Sequence, residues 1–509
     1  MPDQGVSAAL PPAPSSDVVL AGHLASDLSA AGFTVDGVAE LLGPVAYGAM
    51  SRGHRAPAEV ATRASVEPLA GLVRLWILGV PVGVPLLQRA LPGIGLQGLL
   101  VLGVARLGPA DGQMMGTVDL RPYGDADHGW WVVSDLTSMA TGVPLAPDHV
   151  VGVGGASATL ASWAPRPMVQ RALDLGTGSG VQALHLADHA AYRVATDISE
   201  RALRFARLTA ALNGIEVDCR GGSAFDPVEG EEFDLLVCNP PFVITPRTSE
   251  SAALSYRDAG ARGDEFLAGL ISRTREHLAP GGIATYLGNW EVMAGRTWSQ
   301  RIAEWLDNAG LDALVVQRGE QDPSEYAETW GRDAGVPAGD MAFEQSHAAS
   351  IEDFAARDVQ RIGLGIVVLQ RPAEDRPTWQ HFVDARVATE QPMGPHVLAH
   401  VRARSWLAMH SDEEVLSVVW TVAPVVTQEQ IGVPGALDPS SIRLRQAGGF
   451  AHVAQVDTLV AAVVGACDGE LSARQIVVAV AALLDVDTDQ ALTQAVIALR
   501  ELVAFGLLR

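Results

Sequence analysis

The stretch Ala172-Leu173-Asp174-Leu175-Gly176-Thr177-Gly178-Ser179-Gly180, followed by the helical run Val181 to Ala190, constrains this chain more than any other part of it. An apolar strand enters a glycine-rich turn and a helix begins at Ser179, the opening of a strand–helix unit. From there to the apolar run Ile362 to Gln370, strand-like and helical periods alternate. That alternation belongs to a parallel sheet covered by helices on both faces. The glycines let the backbone approach a bound nucleoside closely. Dinucleotide loops that bind phosphate read G-x-G-x-x-G, whereas this turn reads G-x-G-x-G with an acid two residues before its first glycine.

Three further segments follow in register. Tyr192 to Ala195 reads as a second strand ending at Asp197 and Ile198, where a carboxylate accepts ribose hydroxyls in nucleotide-binding α/β folds. Asp197 could at the same time cap the helix Ser199 to Asn213. A third strand, Ile215 to Cys219, leads to Gly222-Ser223-Ala224-Phe225. Then Phe233-Asp234-Leu235-Leu236-Val237-Cys238-Asn239-Pro240-Pro241-Phe242 is a buried strand ending in N-P-P-F at the carboxyl edge of the sheet, where open α/β folds bind ligands.

These elements resemble the class I S-adenosylmethionine-dependent methyltransferases, and within them the small-domain family that includes release-factor glutamine and ribosomal-RNA guanine-N2 methyltransferases. Asp174, Gly176, Thr177, Gly178 and Gly180 match the family's first motif. Asn239, Pro240, Pro241 and Phe242 match the motif of members that modify planar nitrogen. The resemblance covers about two-fifths of the chain and implies S-adenosylmethionine as cofactor, held by the first-motif residues, Asp197, Ile198, Ser223, Ala224, Phe225 and Asn239. Many relatives carry Asp where Ser223 stands, so adenine recognition is expected to rest on backbone groups at Ala224 and Phe225. The resemblance also implies a Rossmann-like α/β sheet of seven strands whose final hairpin is reversed, formed by Leu311 to Gln317 and Ile362 to Gln370. The intervening Arg318 to Arg361 is long for a hairpin connection and is expected near the substrate. Val153 to Ser157 falls where relatives close over the methionine end of the cofactor, with Ser157 and Thr159 as candidates.

The catalytic motif suits a particular chemistry. An amide or exocyclic amine is a poor nucleophile because its lone pair is delocalised. The Asn239 side-chain oxygen and the Pro240 carbonyl can accept its two N–H groups and aim that lone pair at a methyl group. Pro241 stiffens the turn, and Phe242 offers a face for stacking. Catalysis would be positioning and electrostatics, without a covalent enzyme intermediate.

Around this domain, set at 151–372, the sequence suggests a disordered leader over 1–17 and a mostly helical, winged-helix-like domain over 18–150 with a two-stranded wing from Gly116 to Arg121 and Trp130 to Asp135. The polar run from Arg371 to Pro377 reads as a linker into a C-terminal domain, 373–509, that is winged-helix-like from about 441. Leu69 to Leu107 is apolar, but Arg74, Arg89, Arg106 and three prolines divide it, so no membrane span is expected. His185, on an apolar helix, reads as a core residue, and Trp130 and Trp131 as core or substrate-lining. Tyr256-Arg257-Asp258 and Gly263-Asp264-Glu265 read either as flanking the acceptor or as a solvated loop.

Charge bears on the partner. The net charge is -24 and all 35 basic residues are arginines, with no basic run. Such a field repels polyanions, which disfavours DNA and favours a protein or peptide acceptor. An RNA base amine is the alternative, and a degenerate scaffold that only binds the cofactor is a third reading. Cys219, Cys238 and Cys467 are scattered without a CxxC pair, so no metal site is expected and a reducing cytoplasm fits. The sequence leaves the oligomeric state open.

Overall fold

The computed structural model describes residues 10–143, 145–246, 262–333, 341–386, 389–435 and 439–509. Its central sheet consists of β1 (Val169–Leu175), β2 (Ala190–Asp197), β3 (Asp218–Gly221), β4 (Phe233–Cys238), β5 (Leu278–Met293), β6 (Asp312–Gln321), β7 (Val359–Gln370) and β8 (Gln380–Asp384). They lie in the order β8-β6-β7-β5-β4-β1-β2-β3. β1 to β5 pair in parallel, while β7 runs antiparallel between β5 and β6. The mixed sheet with a reversed final hairpin is the Rossmann-like arrangement expected.

The expected count of seven strands needs correction to eight. The chain turns back after Pro372 and adds β8 in parallel to β6, Ala313 facing Gln380. A fully buried carboxylate causes this. Asp312, at the start of β6, accepts the Arg376 guanidinium at 2.8 Å and the Trp379 N–H at 3.1 Å. The polar run expected to be a linker is therefore tied to the sheet. Beyond it lie helices Gly394–Met409 and Asp412–Ser417, an antiparallel sheet of Val426–Ile431, Ser441–Gln446 and Val453–Val456, and helices Thr458–Gly465, Ala473–Leu484 and Thr488–Ala504. A capping box of Ser472 and Gln475 starts the second of these last three helices. One apolar core runs from Leu235 and Val316 of the sheet to Val401, Phe450 and Leu499.

The helices around the sheet are α1 (Gly155–Trp163), α2 (Val181–His185), α3 (Glu200–Leu212), α4 (Glu265–Thr274), α5 (Trp298–Leu306), α6 (Pro323–Asp333) and α7 (Met341–Ala356). Ser199 caps α3 by accepting the Ala202 N–H, so the capping role considered for Asp197 falls to its neighbour. Phe205, Leu208 and Leu212 of α3 enter the core of the N-terminal region.

That region begins earlier than expected. Residues 10–17, assigned to a disordered leader, are docked: Pro14 is buried, the Ser15 N–H donates to the Leu102 carbonyl at 2.8 Å, and Arg201 donates to that of Pro11 at 2.8 Å. The expected strand Gly116 to Arg121 is divided between two sheets, Gln113–Gly116 in one and Asp119–Gly124 in a hairpin with Gly129–Ser134. The Trp131 indole N–H donates to the Phe33 carbonyl at 2.8 Å, and Trp130 packs against His185. Both tryptophans thus serve packing between the hairpin and the rest of the chain. No single helix among the described residues is long and apolar enough to cross a membrane; two bent pairs, Val18–Ala30 with Val35–Met50 and Val84–Ala90 with Gly95–Leu102, reach the length and composition together.

His185 is buried, with its Nε2 2.7 Å from the Tyr123 hydroxyl of the hairpin. Burial, aided by Arg166, holds the imidazole down to about 4. Between the ordinary value of about 6.5 and that one, the unfolded chain takes up a proton that the folded chain excludes, so acid withdraws stability by about 1.4 kcal/mol per pH unit. His185→Gln keeps a polar partner for Tyr123 and cannot titrate. The stability difference between the two proteins, from denaturant unfolding at pH 7 and pH 4.5, should shift toward the variant by about 2 to 3 kcal/mol. Parallel pH profiles would refute a neutral buried imidazole.

Candidate active site

Strand register brings the site together. Leu175 of β1 pairs with Thr196 of β2 and with Cys238 of β4. The next residues along the three strands, Gly176, Asp197 and Asn239, therefore leave the sheet at one level of its carboxyl edge. β1 lies where the order of strands reverses, with β2 and β3 on one side and β4 on the other, the crevice in which such sheets bind ligands.

The turn after β1 holds Gly178 at φ 55° and Gly180 at φ 88°. A Cβ at Gly178 would meet nothing within 4 Å, so the left-handed backbone, rather than crowding, demands glycine there and leaves open space beside the turn. A Cβ at Gly180 would also press on the Ala206 backbone of α3 at 3.3 Å. Gly176 shares the left-handed conformation, and its N–H and that of Thr177 donate to the Thr196 carbonyl at 2.9 and 2.8 Å. Asp174 ties the turn from beneath, accepting the Thr177 hydroxyl at 2.6 Å and the Ala183 N–H at 3.0 Å. Burial pushes its carboxyl up to about 7.

Asp197 accepts the Gly178 N–H at 2.9 Å through one oxygen and the Ser199 N–H at 2.8 Å through the other. Burial raises this carboxyl too. Two carboxylate oxygens offer about four lone-pair sites, which leaves capacity for a pair of hydroxyls. Beside it Ile198 is 73% exposed, an apolar side chain at the mouth of the crevice. Across from it the Gly222 N–H donates to the Asp197 carbonyl at 3.0 Å. Ser223 is exposed, and Ala224 adopts φ 45°, a left-handed backbone that a non-glycine residue adopts at some cost. The Phe225 ring is fully buried and stacks on His277 at 4.3 Å. Its ring is committed to the core, so any contribution to a ligand comes from its backbone.

Asn239 is the distinctive member. Its Oδ1 is buried with no hydrogen-bond partner among the described residues. An unsatisfied buried acceptor costs about 1–3 kcal/mol, and such a cost persists at sites that await a donor from outside the chain. Pro240 is buried, and Pro241 and Phe242 are half-buried. Open space at the glycine turn, a carboxylate with spare lone pairs and this orphaned oxygen fit S-adenosylmethionine with an N–H-bearing acceptor beyond it.

Other candidates fall differently. The Ser157 carbonyl accepts the Gln182 side-chain N–H at 2.9 Å, fastening α1 to α2, and Thr159 is half-buried on α1. Tyr256, Arg257 and Asp258 lie outside the described residues. Asp264 is not solvated: it is buried, pairs with Arg301 at 2.8 Å and accepts the Glu291 N–H at 2.9 Å. Among the described residues no group of three or more His, Cys, Asp or Glu side chains could hold a metal ion. Two residues were not anticipated. The Tyr326 hydroxyl accepts the Ile244 N–H at 3.0 Å and the Asn289 side-chain N–H at 2.8 Å, and Trp330 meets the Phe242 ring at 5.5 Å. Their only trace in the sequence is a pair of aromatics four apart in the long hairpin connection.

Comparison with known proteins bears on the same region. The family described as methyltransferase small domain matches residues 152–290, and two domains of unknown function match 30–114 and 398–509. The release factor glutamine methyltransferase of Xylella fastidiosa is 31% identical over 200 residues, 38% of this chain and 69% of that protein. The ribosomal protein uL3 glutamine methyltransferase of Bradyrhizobium diazoefficiens is 30% identical over 159 residues, 29% of this chain and 50% of that protein. The ribosomal RNA small subunit methyltransferase C of Alcanivorax borkumensis is 28% identical over 139 residues, 27% of this chain and 36% of that protein. The chain thus spans between about one third and about two thirds of the length of these relatives.

Proposed function

Because this chain belongs to the methyltransferase small domain family, we propose that it transfers a methyl group from S-adenosylmethionine to a side-chain amide nitrogen of a protein. The observation that carries this reading is the buried, unpartnered Oδ1 of Asn239 at the end of β4. S-adenosylmethionine supplies a methyl group made electrophilic by the sulfonium to which it is bound. The glycine turn from Gly176 to Gly180, with Thr177, accommodates its amino-acid part. Asp197 accepts the ribose hydroxyls, Ile198 lies against the nucleoside, and Ser223, Ala224 and Phe225 meet the adenine through backbone groups.

Asn239 Oδ1 and the Pro240 carbonyl accept the two N–H groups of the acceptor amide and turn its lone pair toward the methyl carbon. When bound, S-adenosylmethionine would supply the methyl group and leave as the neutral thioether, and the methylated amide would lose one proton to solvent on release. Pro241 keeps the turn stiff, and Phe242 bounds the acceptor on one side. Such positioning in a water-poor crevice supplies the rate enhancement without a covalent enzyme intermediate.

A protein acceptor is favoured by the net charge of -24 without basic runs, since binding a polyanion draws its non-specific affinity from cationic contacts. Two of the three relatives described are named for protein glutamines. The regions 18–150 and 441–509, which we read as winged-helix-like modules, would hold the target, and the cytoplasm would be its compartment. The test is transfer of a tritiated methyl group into an extract of cells lacking this chain. Label that protease releases and ribonuclease leaves in place is expected; label lost to ribonuclease alone would move the acceptor to an RNA base.

A further inference from the structure

β1 to β4 stop at the carboxyl edge of the sheet, but β5, β6 and β7 extend past it. β4 ends at Cys238, which pairs with Tyr286 of β5, and β5 continues seven residues further to Met293. At about 3.3 Å per residue that is roughly 20 Å beyond the edge. β7 pairs with this extension from Ile366 back to Val359, and β6 follows to Gln321. A three-stranded antiparallel wall therefore stands beside the N-P-P-F turn, with α6 and α7 mounted on it as the connection from β6 to β7.

From α6, two aromatic side chains reach the turn. Tyr326 is 1% exposed and packs with Ile244, Phe354 and Ile362 in a cluster separate from the main core. Its hydroxyl joins the backbone N–H of Ile244, two residues after Phe242, to Asn289 on the wall. One turn of helix later, Trp330 stands at 70° to the Phe242 ring. The two helices are held tightly, since a Cβ at Gly331 would overlap the Phe343 ring of α7 at 2.5 Å. An amide needs only the two acceptors at Asn239 and Pro240, whereas a nucleobase also needs clear space over an aromatic face.

We propose that the helical insertion forms the acceptor-side half of the active site: Tyr326 is a positioning residue that fixes the segment after N-P-P-F, and Trp330, crossed against Phe242, narrows the mouth to a side-chain amide and keeps out a stacked base. This rests on the nitrogen-transfer reading. The insertion therefore selects the acceptor, while the sheet edge holds the cofactor.

Three variants of the full-length chain test it, with tritiated methyl transfer into total protein and total RNA of cells lacking this chain as the probe, and S-adenosylhomocysteine titration as the control for cofactor binding. Trp330→Ala should raise the apparent KM for the protein fraction about tenfold with kcat changed less than about threefold, as expected when a contact made before the transition state is lost. Tyr326→Phe keeps the ring but orphans two donors, and should lower kcat about tenfold with KM nearly unchanged. Trp330→Phe, which keeps an aromatic wall, should restore most of the affinity. Cofactor affinity should stay within about twofold in all three. Unchanged KM in Trp330→Ala, or an equal loss in Trp330→Phe and Trp330→Ala, would overturn the proposal. Asn239→Ala assayed beside them separates the two failures: if it is inactive while the Trp330 variants behave as wild type, only the role of the insertion is wrong; if it methylates normally, the underlying reading is wrong.

Discussion

Asn239→Ala should lower methyl transfer by about 10²- to 10³-fold, the loss typical of one oriented polar group in a water-poor site. The buried Oδ1 has no partner within the described chain, so its removal breaks no internal hydrogen bond and relieves an unsatisfied acceptor. Stability should therefore hold or rise slightly, which separates this variant from one that fails to fold. Cofactor affinity should also hold, because the contacts to the nucleoside are assigned to Asp197 and the glycine turn. Single-turnover rates with saturating cofactor read the chemical step, and differential scanning calorimetry reads the fold. Loss of activity together with a large fall in melting temperature would make Asn239 a structural residue instead.

The second large effect lies far from the chemistry. Arg376→Ala should destabilise the folded chain by about 3–5 kcal/mol, because it leaves the Asp312 carboxylate buried with, among the described residues, the Trp379 N–H as the partner of its side chain. Asp312 is fully buried and Arg376 is 9% exposed, so the pair is little screened by solvent. Removing both charges together, as Asp312→Leu with Arg376→Met, should cost much less, since replacing a buried pair by apolar groups is often near neutral. A double-mutant cycle in denaturant reads the coupling. A small loss in the single variant would mean that β8 is held by its backbone pairing and the shared core alone.

The pair at Asp312 also marks where sequence reading reached its limit. The residues from Arg371 to Pro377 are polar and contain two prolines, the composition of a free connection, and nothing local distinguishes an arginine in solvent from one that enters a buried pair 64 positions away. The docked segment 10–17 was obscure for the same reason, because its partners are Leu102 and Arg201. The glycine turn and the N-P-P-F run were legible because their constraints are contiguous: the backbone conformation of Gly176, Gly178 and Gly180 and the chemistry of Asn239 are written in adjacent letters. Parallel pairing of β1, β2 and β4 then brought Gly176, Asp197 and Asn239 to one edge, as the spacing of strands implied. The contact of Trp330 with Phe242 joins α6 to the turn after β4, and no periodicity announces it. What the sequence showed was a connection too long for its hairpin, and that connection carries the two aromatic residues that touch Phe242 and Ile244.

Chemical identification of the transferred methyl group tests the central claim most directly. Acceptor labelled with tritiated S-adenosylmethionine is isolated and hydrolysed in strong acid, and the labelled product is identified. A methyl group on a side-chain amide nitrogen survives mild base and is released by acid as labelled methylamine. A methyl ester would instead release labelled methanol in mild base, and a methylated base would keep its label on the purine or pyrimidine. Labelled methylamine from protein, absent with Asn239→Ala, is the result expected; labelled methanol, or label retained on a nucleobase, would contradict transfer to an amide nitrogen.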